Sequence, residues 1–297
     1  KRGGIKMMSS KSKGILCIIL SALSFSFMSL FIKLSGNVPT LQKSLFRNLV
    51  AAFVALILLL KDKPAVGCTK KSFGYVFGRA LFGTVGIFCN FYAIDHLNIA
   101  DAAMLNKLSP FFAVLFSYLI LKESVAFYQI VCVITALMGA LFILKPDGSS
   151  LLSFPALIGM LGGIGAGLAY TLLRKARTLG VSAPFIILFF SVFSCLCSLP
   201  YCILHYTPMT FIQLFYLILT GVAASFGQFF ITAAYSYAPA RELSVYDYTN
   251  VIFSGIIGFL LLGEIPDYLS YIGCFIIIGA SVIMYILNLR TDQKSQQ

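Results

Sequence analysis

The stretches "LFSYLILKE" (115–123) and "IIGFLLLGE" (256–264) each run apolar up to a closing glutamate, and they stand 141 residues apart. At the same offset, without a gap, Lys33 meets Arg174, Gly86 meets Gly227, Phe88 meets Phe229 and Asp101 meets Glu242. A repeat of this length in a chain of 297 residues divides it into two halves of one design.

The solvent for those halves follows from composition. The chain is 59% hydrophobic and 11% charged, with a mean hydropathy of +0.94, and an average globular protein carries about 25% charged residues. Apolar runs continue along the whole length, so the protein is read as an integral membrane protein without a sizeable soluble domain. A bilayer core about 30 Å thick takes about 20 apolar residues per helix. Breaks at charge, proline and glycine place ten spans at 14–34, 43–60, 73–94, 101–121, 125–144, 155–174, 183–203, 212–234, 243–262 and 266–288. These runs are too long and too weakly alternating for a barrel.

Ten spans divide into a first repeat over 14–145 and a second over 155–288, flanked by a cytoplasmic N-terminal segment (1–13) and a cytoplasmic tail (289–297). Five is odd, so the second repeat crosses the membrane in the opposite sense. Inverted repeats mark transporters, in which two equivalent halves exchange inward-open and outward-open shapes around a site at their junction. With both termini in the cytoplasm, seventeen of the 22 basic residues fall inside, Arg79, Arg174, Arg177 and Arg241 among them. Only Lys33, Lys43 and Lys145 fall outside, a strong positive-inside bias that places the protein in the cell membrane. The formal charge of +12 is thereby explained without nucleic acid. The eight cysteines show no metal-ligand spacing, and no metal or other cofactor is expected.

"NFYAIDHLNIADAAMLNKLSPFFAVLFSYLILKE" (90–123) and "AYSYAPARELSVYDYTNVIFSGIIGFLLLGE" (234–264) resemble the helix 3–4 and helix 8–9 blocks of the drug/metabolite transporter superfamily, in its ten-helix EamA-type branch. The resemblance covers nearly the whole chain. It implies two inverted five-helix repeats, with helices 1 to 4 and 6 to 9 around a central cavity and helices 5 and 10 at the periphery. It leaves the substrate open, since family members move amino acids, nucleotide derivatives, S-adenosylmethionine, riboflavin, sugars and drugs.

Charge inside a span is costly and calls for a partner, a substrate or an ion path. Arg47, Lys107 and Asp247 are the three cases. Both cations lie near an interface, where snorkelling is the alternative. Lys107 is set beside a small or polar stripe of Asn106, Pro110, Ala113 and Ser117, and Pro110 cannot donate to the carbonyl of Asn106. In the ninth span Asp247, Asn250, Ser254 and Gly258 share one face, with Tyr246 and Tyr248 flanking the carboxylate. Asn90 and Gln228 need hydrogen-bond partners that lipid does not supply, and Tyr92 and Tyr170 could stack on a ring. The stripes Gly83/Gly86/Asn90, Ser225/Gln228/Thr232 and Ser191/Ser194/Ser198 suit a cavity wall or close helix packing. Glu123 and Glu264, each at a helix C-terminus, are expected to find backbone donors in the following turn.

Two cations and one carboxylate suit a substrate with an anionic group, most simply a zwitterion. Arg47 and Lys107 would meet the anion; Asp247 would meet an amine or carry a proton. The expected function is a secondary transporter of a small polar organic metabolite, an amino acid or related compound. Next comes uptake of S-adenosylmethionine, a nucleotide derivative or a vitamin, then multidrug efflux. An enzyme is not expected, because His96 and His205 fall in loops and no H-E-x-x-H motif occurs. No P-loop offers ATP drive. A non-alternating channel or scaffold is the other class. Proton or counter-substrate coupling, and a monomer or homodimer, all stay open.

Overall fold

A computed structural model describes residues 9–62, 67–96, 103, 105–144, 153–263 and 267–294. Asp101, Lys145 and Glu264 lie outside the described residues.

Every regular element among the described residues is a helix: α1 (Ser10–Leu34), α2 (Thr40–Asp62), α3 (Lys70–His96), α4 (Ser109–Leu121), α5 (Phe127–Leu144), α6 (Phe154–Thr178), α7 (Ala183–Leu204), α8 (Phe211–Tyr237), α9 (Ala240–Asp247), α10 (Thr249–Leu262) and α11 (Tyr268–Lys294). Among these residues nine helices are long and apolar enough to cross a membrane, counting α9 and α10 as one, and α4 is a shorter apolar helix. The ten spans are therefore where hydropathy puts them, but several extend further. α1 starts at Ser10 because the Ser9 side chain accepts from the Ser12 N–H at 3.1 Å, and α8 starts with a full capping box between Thr210 and Gln213. α11 continues to Lys294, so the expected tail is largely helical.

The larger difference lies in spans four and nine, which are not continuous helices. In span four a turn at Lys107 and Leu108 precedes α4, which has a proline in its first turn. In span nine a turn at Tyr248 separates α9 from α10. Lys107 and Tyr248 are 141 residues apart, so both halves break at the same place.

Packing follows the repeat. α3 lies along α6 as α8 lies along α1; α4 meets α6 as α10 meets α1; α2 pairs with α7, and α5 with α11. Glycines set the closest of these approaches. A Cβ on Gly163 would stand 2.5 Å from the Leu105 carbonyl oxygen, and one on Gly167 would stand 2.6 Å from the Phe112 Cβ. α6 thus grips span four on both sides of its break through backbone-level contacts that any side chain would prevent. The outer surface is apolar: Phe53, Leu60, Leu260 and Phe275 are exposed, as a lipid-facing surface requires.

α4 and α10 also end alike. Lys122 caps α4 at φ 56°, ψ 30°, and Gly263 caps α10 at φ 70°, ψ 18°, again 141 residues apart. Glycine adopts this left-handed conformation without strain, whereas a lysine Cβ is crowded there. Lys122→Gly is expected to stabilise the protein by about 1 kcal/mol, read as a raised thermal midpoint in detergent. An unchanged or lower midpoint would show that the lysine side chain compensates.

Candidate functional site

The two broken spans meet. The Tyr248 hydroxyl donates to the Lys107 carbonyl oxygen at 3.0 Å, joining equivalent residues of the two repeats. Lys107 turns its ammonium back to the second repeat and donates to Asn250 Oδ1 at 2.7 Å. Asn250 in turn donates from Nδ2 to the Ala22 carbonyl oxygen at 3.0 Å and to Ser26 Oγ at 2.8 Å. Two breaks, one lysine and one amide therefore bind span four, span nine and α1 into a single polar knot.

Beside this knot lies a cavity of about 210 Å³. Six pairs of its lining positions are repeat equivalents: Phe25 and Ala166, Met28 and Ala169, Ser29 and Tyr170, Ile87 and Gln228, Asn106 and Asp247, Ser109 and Asn250. The cavity thus straddles the axis that relates the halves. Helices α5 and α11 contribute no lining residue and pack on each other.

Of the residues singled out from sequence, Arg47, Asn90, Asn106, Lys107, Tyr170, Gln228, Asp247 and Asn250 all line this cavity. Arg47 is 7% exposed and makes no hydrogen bond among the described residues, so it does not snorkel to an interface. The Asp247 carboxylate lies within electrostatic reach of Lys107 and forms no hydrogen bond or ion pair among the described residues.

Two of the chosen residues lie elsewhere. Tyr92 is exposed and stacks on His96 with ring centroids 4.1 Å apart, because one helical turn separates them and both leave the core side of α3. Tyr248 is fully buried; its ring fills the core and its hydroxyl holds the Lys107 break, so it supports the site without lining it. The Ser254 hydroxyl faces Ser26 at 3.1 Å, making that part of span nine a packing seam against α1. Ser194 accepts from Asn48 Nδ2 at 2.9 Å between α2 and α7, and Ser198 bonds within its own helix, so these two serines of the α7 stripe are packing; the buried Ser191 hydroxyl has no partner among the described residues. Ser225 and Thr232 likewise bond to carbonyls one turn back in α8.

Arg79 was assigned to the inner surface, but it lines the cavity. It is 4% exposed, nine residues into α3, and its guanidinium stacks over the Phe190 ring at 4.2 Å. Its Nη2 donates to Gln228 Oε1 at 3.2 Å. The span read from sequence, 73–94, already contains Arg79, six residues in, but the residue was grouped with Lys70 and Lys71 as inner-surface charge; counted from Lys70, it sits about 13 Å along the helix axis. The signal that could have revealed it is Gly83 one turn on: a Cβ there would stand 2.2 Å from Arg79 Nη1.

A separate set of charges ties one end of the bundle. Lys11 pairs with Glu242 at 3.3 Å, Arg174 Nε with Glu123 at 3.2 Å, and Arg174 Nη1 donates to the Tyr235 carbonyl oxygen at 2.8 Å. Arg177 donates to Ser236 Oγ at 2.7 Å, and Arg241 donates to Ser124. Glu123 was expected to find backbone donors. Its side-chain partners are Arg174 and the Ser117 hydroxyl, because the α6 terminus brings a guanidinium within reach.

The EamA-like transporter family matches this chain twice, over residues 12–145 and 153–286. The chain belongs to that family. This EamA-like transporter is 30% identical over 275 residues to the pseudopaline exporter CntI of Pseudomonas aeruginosa, covering 91% of this chain and 95% of that one. It is 26% identical to a riboflavin transporter of Brucella anthropi over 84% and 88% of the two chains. A solved crystal structure superposes with a TM-score of 0.81 at 18% identity, over 94% of this chain and 99% of the other, a likeness of fold. The protein is thus a membrane transporter for a small-molecule substrate.

The polar knot gives a direct stability test. Asn250→Ala removes the acceptor for Lys107 and both donors to α1, and should cost about 2 kcal/mol or more. The loss should register as a lower thermal midpoint in detergent. A midpoint equal to wild type would mean that these bonds contribute nothing net.

Proposed function

We propose that this transporter moves a small polar organic metabolite with an anionic group, most simply a zwitterion, by alternating access at the junction of its repeats. The observation that carries the reading is the pairing of opposite charges across one cavity. Lys107 and Arg47 come from the first repeat, and the Asp247 carboxylate, with no direct partner among the described residues, comes from the second. An isolated carboxylate in a membrane interior is costly, and a substrate ammonium or a proton relieves that cost.

The cavity's size supports a small substrate. About 210 Å³ is less than the 300–1,000 Å³ typical of pockets for drug-sized ligands. An amino acid or similar compound therefore fits this shape better than a flavin, S-adenosylmethionine or a bulky drug. Three cations in the wall disfavour cationic drugs further. The similarity to a protein named as an exporter makes export the first direction to test.

Alternating access is supported by the broken spans and the tied end. Discontinuous helices at equivalent points of inverted repeats place free backbone groups and hinges beside a central site. The tied end carries Lys11, Arg174, Arg177 and Arg241, which the positive-inside bias assigns to the cytoplasm, with both termini on that side. Two ion pairs tie the repeats to each other at this end, Lys11 with Glu242 and Arg174 with Glu123, and such ties suit a gate better than a permanently open channel.

In proteoliposomes, uptake of a stabilising ligand found by a thermal-shift screen of metabolites should saturate and show counterflow. A linear flux without counterflow would rule out a carrier. Lys107→Ala and Asp247→Asn should each weaken binding of that ligand about tenfold or more; equal stabilisation of both variants and wild type would remove the site from this cavity. If Asp247 carries the coupling proton, Asp247→Asn should abolish accumulation driven by a pH gradient while exchange persists. Retained gradient-driven accumulation would assign coupling elsewhere.

Opening the tied end requires its ion pairs to part. Glu123→Gln should weaken the closed state, raising reaction of a cysteine placed at Ser236 with a thiol reagent several-fold in a background lacking native cysteines. No change in reactivity would exclude Glu123 from the gate.

A further inference from the structure

Arg79 and its surroundings go beyond a zwitterion site. Two guanidinium groups face the same cavity, Arg47 from α2 and Arg79 from α3. Both are more than nine-tenths buried, and the Nε of each has no partner. Burying two like charges in the wall of one cavity is unfavourable unless something anionic joins them.

The pose of Arg79 is also built. Gly83, one turn on, leaves the space its Nη1 occupies; the Phe190 ring covers the guanidinium face; and Gln228 of the second repeat accepts from Nη2. Three positioning residues from three helices hold a planar donor group still while its Nε edge lacks an acceptor. A guanidinium held in this way matches a carboxylate through two parallel hydrogen bonds, which a lysine cannot reproduce. Lys107, by contrast, already spends a donor on Asn250 and sits beside Asp247.

Resting on the transport reading above, we propose that the substrate carries two carboxylates as well as an amine, and that Arg79, with Arg47, is the specificity-determining site for the second carboxylate. One carboxylate lies toward Lys107, the ammonium toward Asp247, and the other carboxylate between the two arginines. The formal charges of the wall, three positive and one negative, then meet a ligand with two negative groups and one positive.

The test uses the purified full-length protein with three small probes: alanine, succinate and aspartate. Aspartate should raise the thermal midpoint at concentrations about tenfold or more below those needed for alanine, with succinate between them. Arg79→Gln should erase the advantage of aspartate over alanine while leaving the alanine response in place. Gly83→Ala displaces the guanidinium without removing charge and should give the same loss, which keeps the test decisive if Arg79→Gln folds poorly. Arg79→Lys should fail to restore the preference. Alanine and aspartate acting equally on wild type, with Lys107→Ala weakening both, would overturn the two-carboxylate substrate and leave zwitterion transport standing. An Arg79→Gln variant that weakens all three probes alike would also overturn it, by making Arg79 a general structural residue. If no probe stabilises wild type, the two-carboxylate assignment fails, while transport itself is still judged by flux and counterflow of the metabolite found by screening.

Discussion

The hydrogen bond from the Tyr248 hydroxyl to the Lys107 carbonyl is the constraint on which the centre of this transporter depends. A helix broken in a membrane leaves backbone groups without partners, and water is not there to supply them. Each repeat breaks one helix, and the residue at one break satisfies a backbone group at the other. The glycine-lined face of α6 then clamps span four on both sides of its break. The breaks thus support one another, which sets polar backbone, a lysine and an aspartate inside the bundle rather than against lipid.

Around that centre the scaffold is nearly symmetric and the charge is not. Six pairs of equivalent positions line the cavity, yet Arg47, Arg79 and Lys107 all belong to the first repeat and Asp247 to the second. Two halves of one shape thus carry opposite charge, three cations on one wall and one carboxylate on the other. Alternating access needs symmetry of shape; selectivity needs the opposite in charge.

Span number, repeat and family were legible because membrane thickness sets helix length and because a single offset survives without gaps. Lys107, Arg47 and Asp247 were legible for a related reason: a charge inside an apolar run has few explanations. Arg79 was not: although it falls inside the span at 73–94, the lysines ahead of it at 70 and 71 made it look like part of the inner-surface charge, and the structure places it nine residues along α3. The breaks were also hidden. Pro110 hinted at one, but Tyr248 has no glycine or proline beside it, and the partner of its hydroxyl lies 141 residues away. Tyr92 failed for the reverse reason, since its chemistry suited a site and its helical phase did not.

The two matching seams that hold the halves together are built differently. Gly86 of α3 meets the backbone of Gly162 and Gly165, whereas its equivalent, Gly227 of α8, lies under the ring of Phe25. One seam is backbone on backbone and the other backbone on an aromatic face. Any motion that exchanged the shapes of the two halves would load these unlike seams unequally. Were the halves to exchange shapes, the two end states would differ at these seams, and any preference between them would lie in a few side chains rather than in the symmetry.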